Sequence, residues 1–263
     1  MSLVTSNVLK LPCGKNEKLK VLVKKISDDK KLQTYWKCAN IMAIDRMGYT
    51  DHGPIHIKIV ANSALKILRI LIKNGVEPNI VKEYDMTNED AEVIVVLASI
   101  FHDLGMAVVR ENHEEYSIFL SLGFLESYLK AMYDEENATI LSSEVLHALS
   151  THHHQRRPLT IEAGVVRVAD ALDMEQGRAR IPFQAGKIDV HSVSALSIKR
   201  VKIEEGGAKP VTIRISMTGS AGIFQIDQLL RNRIKNSGLE DYIHVIAAIS
   251  EDKESGVIEK FEI

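Results

Sequence analysis

Apolar positions keep a helical period as far as about residue 182 and alternate with polar ones beyond it. That change predicts an α+β protein, with a mainly helical domain over residues 1–183 and a small α/β subdomain over 184–263. The most apolar stretch runs from Val93 to Phe101 and is followed at once by His102-Asp103-Leu104-Gly105. Thr87 with Asp90 three residues on reads as a capping box, and Val93, Val96, Leu97, Ile100 and Leu104 share one helical stripe. The segment is therefore expected to be a buried helix with its polar groups at the C-terminal end, stopped by a left-handed Gly105.

Other helices follow the same logic. Lys20 to Asp45 carries Trp36, Ile41 and Ile44 at helical spacing, and the mixed charges of Lys24 to Lys31 read as a solvated face, so one or two surface helices are expected. A long helix opens at Pro54, with a polar cap before it, and stops near Asn74-Gly75; His56 shares its stripe with Ile59, Val60, Ser63, Ala64, Ile67 and Leu71. In the next, His113, Tyr116, Ser117, Leu120 and Phe124 line one face. A helix from about Ala138 aligns Val145, Leu149 and His152, with His153 one turn beyond Leu149. Pro158 and Thr160 start a further helix, largely apolar through Leu172 but interrupted by Asp170 and Asp173. Downstream, Ser197–Glu205 and Val211–Met217 form a hairpin across Gly206-Gly207, with Val201 and Ile203 facing Ile213 and Ile215. A helix through Ile226, Leu229, Leu230 and Ile234 follows, then strands at Tyr242–Ile249 and Val257–Ile263.

Composition narrows the function classes. The 263 residues are 45% apolar, enough for an ordinary core. Lys plus Arg total 33 against 35 for Asp plus Glu, a formal charge of -2, so there is no general basic field to hold a nucleic-acid duplex. The longest apolar run is about half of the ~20 residues needed to span a bilayer. Met1 to Lys10 lacks a signal-peptide core, and a cytoplasmic protein with no membrane partner is expected. Cys13 and Cys38 lack metal-binding spacing and read as reduced thiols.

The ten histidines carry the candidate chemistry. A single His-Asp pair at a helix end is more often a cap or a local hydrogen bond than a metal site, and a His on an apolar stripe is more often a hydrogen-bonded core residue than a ligand. Taken together, however, His56, His102-Asp103 and Asp170 lie on three separate helices, each on or beside an apolar face. Imidazole and carboxylate sources in that combination suit a divalent transition metal such as Mn, Ni, Co, Zn or Fe, with open positions for water. A carboxylate inside an apolar segment needs a cation or several donors. Asp170 is the better interior candidate, and Asp173 is its alternative or a neighbour one layer out.

The order H…HD…D resembles the HD-domain metal-dependent phosphohydrolases over about Tyr49 to Met174. The resemblance is carried by His56-Ile-Lys-Ile-Val-Ala, Ile100-Phe-His-Asp-Leu-Gly and Val166-Arg-Val-Ala-Asp170-Ala-Leu-Asp. It implies that His56, His102, Asp103 and Asp170 bind the metal, with His102 and Asp103 at the catalytic centre. Two-metal members have further histidines, which His113 and His152-His153 resemble; Leu149-Ser-Thr-His-His matches the approach to that pair. One or two ions per chain are thus expected. His52 occupies an offset, four before the first His, that joins the site in some members, and Met106 stands where many have Lys.

The expected activity is hydrolysis of a small-molecule phosphate ester, that of a nucleotide first, by a metal-activated water. Arg156 and Arg157, with Arg178 or Arg180, are candidates for binding the phosphate. Two alternatives are a non-catalytic nucleotide-sensing module working through the C-terminal subdomain and a di-iron oxygenase on the same ligands. A homo-oligomer, a dimer first, is the expected assembly.

Overall fold

The computed structural model describes residues 9–153, 156–176, 194, 196–249 and 260–262. Eight helices build the first layer: α1 Glu17–Asp28, α2 Lys30–Asn40, α3 Pro54–Lys73, α4 Asn79–Tyr84, α5 Asn88–Phe101, α6 His113–Leu129, α7 Glu135–Thr151 and α8 Ile161–Ala171. α5 is their axle. Ala91 and every residue from Val93 to Phe101 are buried, because α3, α7 and α8 pack around it. The capping box forms as the spacing predicts: the Thr87 amide donates to Asp90 Oδ2 at 3.0 Å, and the Thr87 hydroxyl donates to the same oxygen at 2.7 Å.

α1 and α2 are the expected surface helices, each with one face buried. Leu19, Leu22, Ile26, Leu32 and Trp36 are buried, and the Trp36 indole donates to the Ile100 carbonyl at 3.0 Å, while the Lys-rich side faces water. After Asn40 the chain continues as a π-helical turn over Ile41–Arg46. The cap of α3 differs from expectation. Gly53 occupies it without a side-chain cap bond; Asp51 instead accepts from the Gly53 amide at 2.6 Å. Among the predicted inward positions, Ile59, Tyr116 and Leu229 face solvent, lying on the margins of their stripes.

The second layer is a four-stranded sheet in the order β1 Ile198–Glu205, β2 Val211–Met217, β3 Ile243–Ile249, β4 Lys260–Glu262. β1 and β2 form the expected hairpin, with Val201 opposite Ile215 and Ile203 opposite Ile213. β3 runs parallel to β2, which requires a crossover. The crossover helix, α9, is a continuous run of Gly222–Phe224, a π-type stretch Gln225–Leu230 and Arg231–Lys235. β1 and β2 lie against α3, and α9 lies against α8. Ile198, Ile213, Ile226 and Val245 belong to the same buried apolar cluster as Leu97 and Val166, so one core runs through both layers. The docking is close: a Cβ on Gly164 of α8 would lie 2.4 Å from the Ser237 carbonyl oxygen. The expected boundary at 183/184, with Arg178 and Arg180, lies outside the described residues. Among those described, no helix is long and apolar enough to cross a membrane.

Candidate metal centre

The polar groups of the helical layer converge at the C-terminal end of α5. His102 is the residue after the helix, and Asp103 leaves helical geometry at φ -103°, ψ 8°, which separates the two side chains. The expected left-handed stop at Gly105 does not occur. The chain instead tightens into a 3₁₀ turn over Leu104–Ala107, and Gly105 is absent from the positive-φ positions. What Gly105 provides is close approach: a Cβ there would lie 2.0 Å from the His113 carbonyl oxygen. Its amide donates to Ser117 Oγ at 2.8 Å, and that hydroxyl donates to the His102 carbonyl at 2.6 Å. The start of α6 is thereby fixed against the His-Asp pair.

Four imidazoles meet here, each oriented from behind. Nδ1 of His102, His113 and His152 donates to the carbonyl of Ser99, Arg110 and Leu149, at 2.8, 2.9 and 2.8 Å. Nδ1 of His56 donates to Asp173 Oδ2 at 2.6 Å. With each Nδ1 holding the proton, every Nε2 presents a lone pair inward. These lone pairs face one another: His56 and His102 Nε2 are 3.1 Å apart, and His113 and His152 Nε2 are 3.2 Å apart. Asp103 lies between the two pairs, with Oδ2 at 3.3 Å from Nε2 of both His56 and His102 and Oδ1 at 3.3 Å from His113 Nε2. Asp170 Oδ1 is 3.4 Å from His56 Nε2. Two groups with metal-ligand spacing result: His56, His102 and Asp170, and Asp103, His113 and His152.

Bare lone pairs and carboxylates at these distances repel unless a cation lies among them. Asp103 Oδ2 is buried with no hydrogen-bond donor among the described residues, the kind of acceptor that a metal ion would satisfy. The titration behaviour points the same way. Burial opposes a charge on His102, but Asp103 and Asp170 outweigh it and hold its pKa up to about 9, so a proton and a metal compete for the same Nε2 lone pair and the site favours positive charge. Burial would raise Asp103, yet His102 and its neighbours hold that carboxyl well below the usual range. His152 is pushed well down by burial, then by the charges of His102 and His113, so it stays neutral and able to ligate. The donor set fits a divalent transition metal, and the Nδ1–carboxylate and Nδ1–carbonyl bonds are the supporting contacts such ligands usually have.

Other expected site residues fall around this centre. Asp173 takes the outer position behind His56, and Asp170 the inner one. The half-buried His52 ring is 5.7 Å from that of His56, and its Nδ1 donates to the Thr50 carbonyl at 2.7 Å. His153 stands one layer out from His113, with Nδ1 3.3 Å from Glu114 Oε1. Glu114, unremarked in the sequence, also lies 3.6 Å from His113 Nδ1. Arg156 is exposed, 3.5 Å from Glu115, on a recess that includes Glu114 and His153; Arg157 is exposed as well. Neither arginine pairs with a carboxylate of the two clusters. Among the described residues, the guanidinium that does is Arg233 of α9, whose Nη2 is 3.4 Å from Asp170 Oδ2.

Comparison with known proteins agrees with this picture. The HD domain model matches residues 55–175, the span from α3 to just beyond α8. The chain is also similar to an uncharacterized protein of Methanocaldococcus jannaschii, 46% identical over 244 residues that make up 93% of each chain.

Proposed function

Because this chain belongs to the HD-domain superfamily of metal-dependent phosphohydrolases, we propose that it is a two-metal hydrolase of phosphate esters, with nucleotides as its substrates. The observation that carries the reading is the pair of facing imidazole pairs joined by one carboxylate, Asp103. His56, His102, Asp103 and Asp170 would hold the first ion; Asp103, His113 and His152 the second, with His52 and His153 flanking. Mn, Ni, Co, Zn and Fe all accept such a set. Bound divalent ions supply Lewis acidity toward a phosphoryl oxygen and lower the pKa of a water toward neutrality.

The residues divide the remaining work. Asp173 fixes the His56 tautomer and strengthens its Nε2 as a donor. The carbonyls of Ser99, Arg110 and Leu149 do the same for His102, His113 and His152. Ser117 braces the turn that carries Asp103, so that both of its oxygens stay aimed at the imidazoles. A cytoplasmic homodimer belongs to the same proposal.

The test is a screen of protein reconstituted with each metal against nucleoside phosphates and cyclic nucleotides, with phosphate release and metal stoichiometry measured together. Turnover with more than one ion per chain is expected. Tight nucleotide binding without product over hours would favour the sensing module instead, and redox-active iron in anaerobically purified protein would favour oxygenase chemistry. A maximum of one ion per chain would remove the second metal and leave His113 and His152 as phosphate donors.

A further inference from the structure

The sheet layer reaches into the metal centre through one side chain. Arg233 lies near the end of α9, and its side chain is only 12% exposed. Nη2 faces Asp170 Oδ2 at 3.4 Å, while Nη1 donates a close hydrogen bond to the His152 carbonyl. Asp170 belongs to the first metal-ligand group and His152 to the second. A single planar cation thus spans both groups, from a helix that contributes no ligand to either.

We infer that Arg233 is a positioning residue for the metal centre, and that the centre has full metal affinity only when α9 is docked. The inference rests on the metal centre proposed above, not on its substrate. Three observations support it. First, Asp170 presents Oδ1 to His56 and His102 at 3.4 and 3.7 Å, and Arg233 occupies the other oxygen, which fixes the rotation of the carboxylate. Second, the delivering helix is rigidly held: Ile226, Leu230 and Ile234 are buried, and the Ser237 turn touches Gly164 backbone to side-chain position, leaving no room for a Cβ. Third, the loop after α7 is also held by buried Arg167, whose Nη1 donates to the carbonyls of Thr151 and Arg156 at 3.1 and 2.8 Å. The end of α7 that carries His152 is therefore gripped by two arginines, and Arg233 is the one that also reaches a ligand.

The charge balance explains why a cation is tolerated beside metals. Asp103, Asp170, Asp173 and Glu114 together offset two divalent ions, and Arg233 then leaves the centre positive, the sign an anionic ester requires. A lysine cannot replace it, because an ammonium lacks the fork that spans two fixed acceptors.

The test is Mn²⁺ titration of the full chain followed by electron paramagnetic resonance, with no substrate present. Arg233→Ala and Arg233→Lys are expected to weaken Mn²⁺ binding by about 10- to 100-fold, the usual effect of removing a contact that orients a ligand. Guanidinium ion should restore affinity to Arg233→Ala but not to His102→Ala. Arg231→Ala, on the same helix but paired with Asp227 at 2.6 Å, should bind as the parent does. If Arg233→Ala does not fold, Arg233→Lys decides. Parental Mn²⁺ affinity in a folded Arg233 variant overturns the inference, even if its KM for a phosphate ester rises. A parent chain that binds no Mn²⁺ overturns the metal centre as well, whereas weakened Mn²⁺ binding without turnover by the parent overturns only the hydrolase reading.

Discussion

Two clusters of ionisable groups in the helical layer have their carboxyl pKa values displaced in opposite directions. At the end of α5, Asp103 and Asp170 are held well below the usual carboxylate range despite burial, because imidazoles and Arg233 surround them. Between α4, α7 and α8, Glu144 and Glu162 are displaced upward, chiefly by burial. Glu162 accepts from the Asn79 and Ile80 amides at 3.2 and 3.0 Å and so caps α4, while one Glu144 oxygen has no partner among the described residues. Glu144 is held up to about 7, first by burial and then by the charge of Glu162. The same side-chain chemistry is thus driven toward the charged form where imidazoles and a guanidinium converge and toward the protonated form where burial and neighbouring carboxylates dominate.

The sharpest way to break the comparison is at Asp103. Asp103→Ala and His102→Ala are expected to lose bound metal and to reduce turnover by several orders of magnitude, with elemental analysis and phosphate release measured on the same samples. Full metal content in both variants would mean that the first cluster is a proton site like the second. His113→Ala separates the two positions: one ion per chain should remain while the second is lost, as read by metal stoichiometry. Gly105→Ala tests the scaffold, since its methyl group would meet the His113 carbonyl. A loss of about 3 kcal/mol in denaturant unfolding is expected, together with weaker metal binding.

The Glu144 cluster should show itself as a pH dependence of stability. Its pKa rises on folding from the ordinary 4.5 of a glutamate to about 7, so its contribution is fully present below about pH 4.5 and is lost as pH rises through 7. The full swing is on the order of 3 kcal/mol. Glu144→Gln should therefore raise the melting temperature at pH 8 and leave it nearly unchanged at pH 4.5; an equal gain at both would mean that charge is not the cause. The smallest effect is expected at the start of the axle helix, where Thr87→Ala removes half of the capping box and should cost about 1 kcal/mol without altering metal content.

Much of the first cluster was legible because periodicity and chemistry coincide there. His56, His113 and His152 each share a stripe with residues that have to be buried, so a helical reading alone turns them toward a common interior. The tail of α5 was legible for the same reason, although the reason for Gly105 was not: close approach to His113 is a tertiary fact with no trace in local spacing. Choosing between Asp170 and Asp173 also needed three dimensions, since both interrupt the same apolar run and only their relation to the two faces of His56 separates them. Arg233 left no signal. It stands in a mixed run, Arg231-Asn-Arg-Ile-Lys235, that reads as solvated surface, while the conspicuous Arg156 and Arg157 beside the histidines face outward. Glu114 was hidden by its exposed neighbour Glu115. In the sheet, the hairpin register followed from alternation, but the parallel pairing of β2 with β3 depends on where the crossover helix docks.

That crossover also sets an order of events in biosynthesis. Every histidine and carboxylate of the centre lies in the chain up to Asp173, whereas the guanidinium that spans them belongs to a helix translated after both strands of the hairpin. During synthesis these groups emerge before Arg233 can reach Asp170 or the His152 carbonyl. If they hold metal as proposed, the growing chain would then pass through an interval in which its ligand set is complete in composition but lacks the contact from α9, and the arrival of that helix would end it.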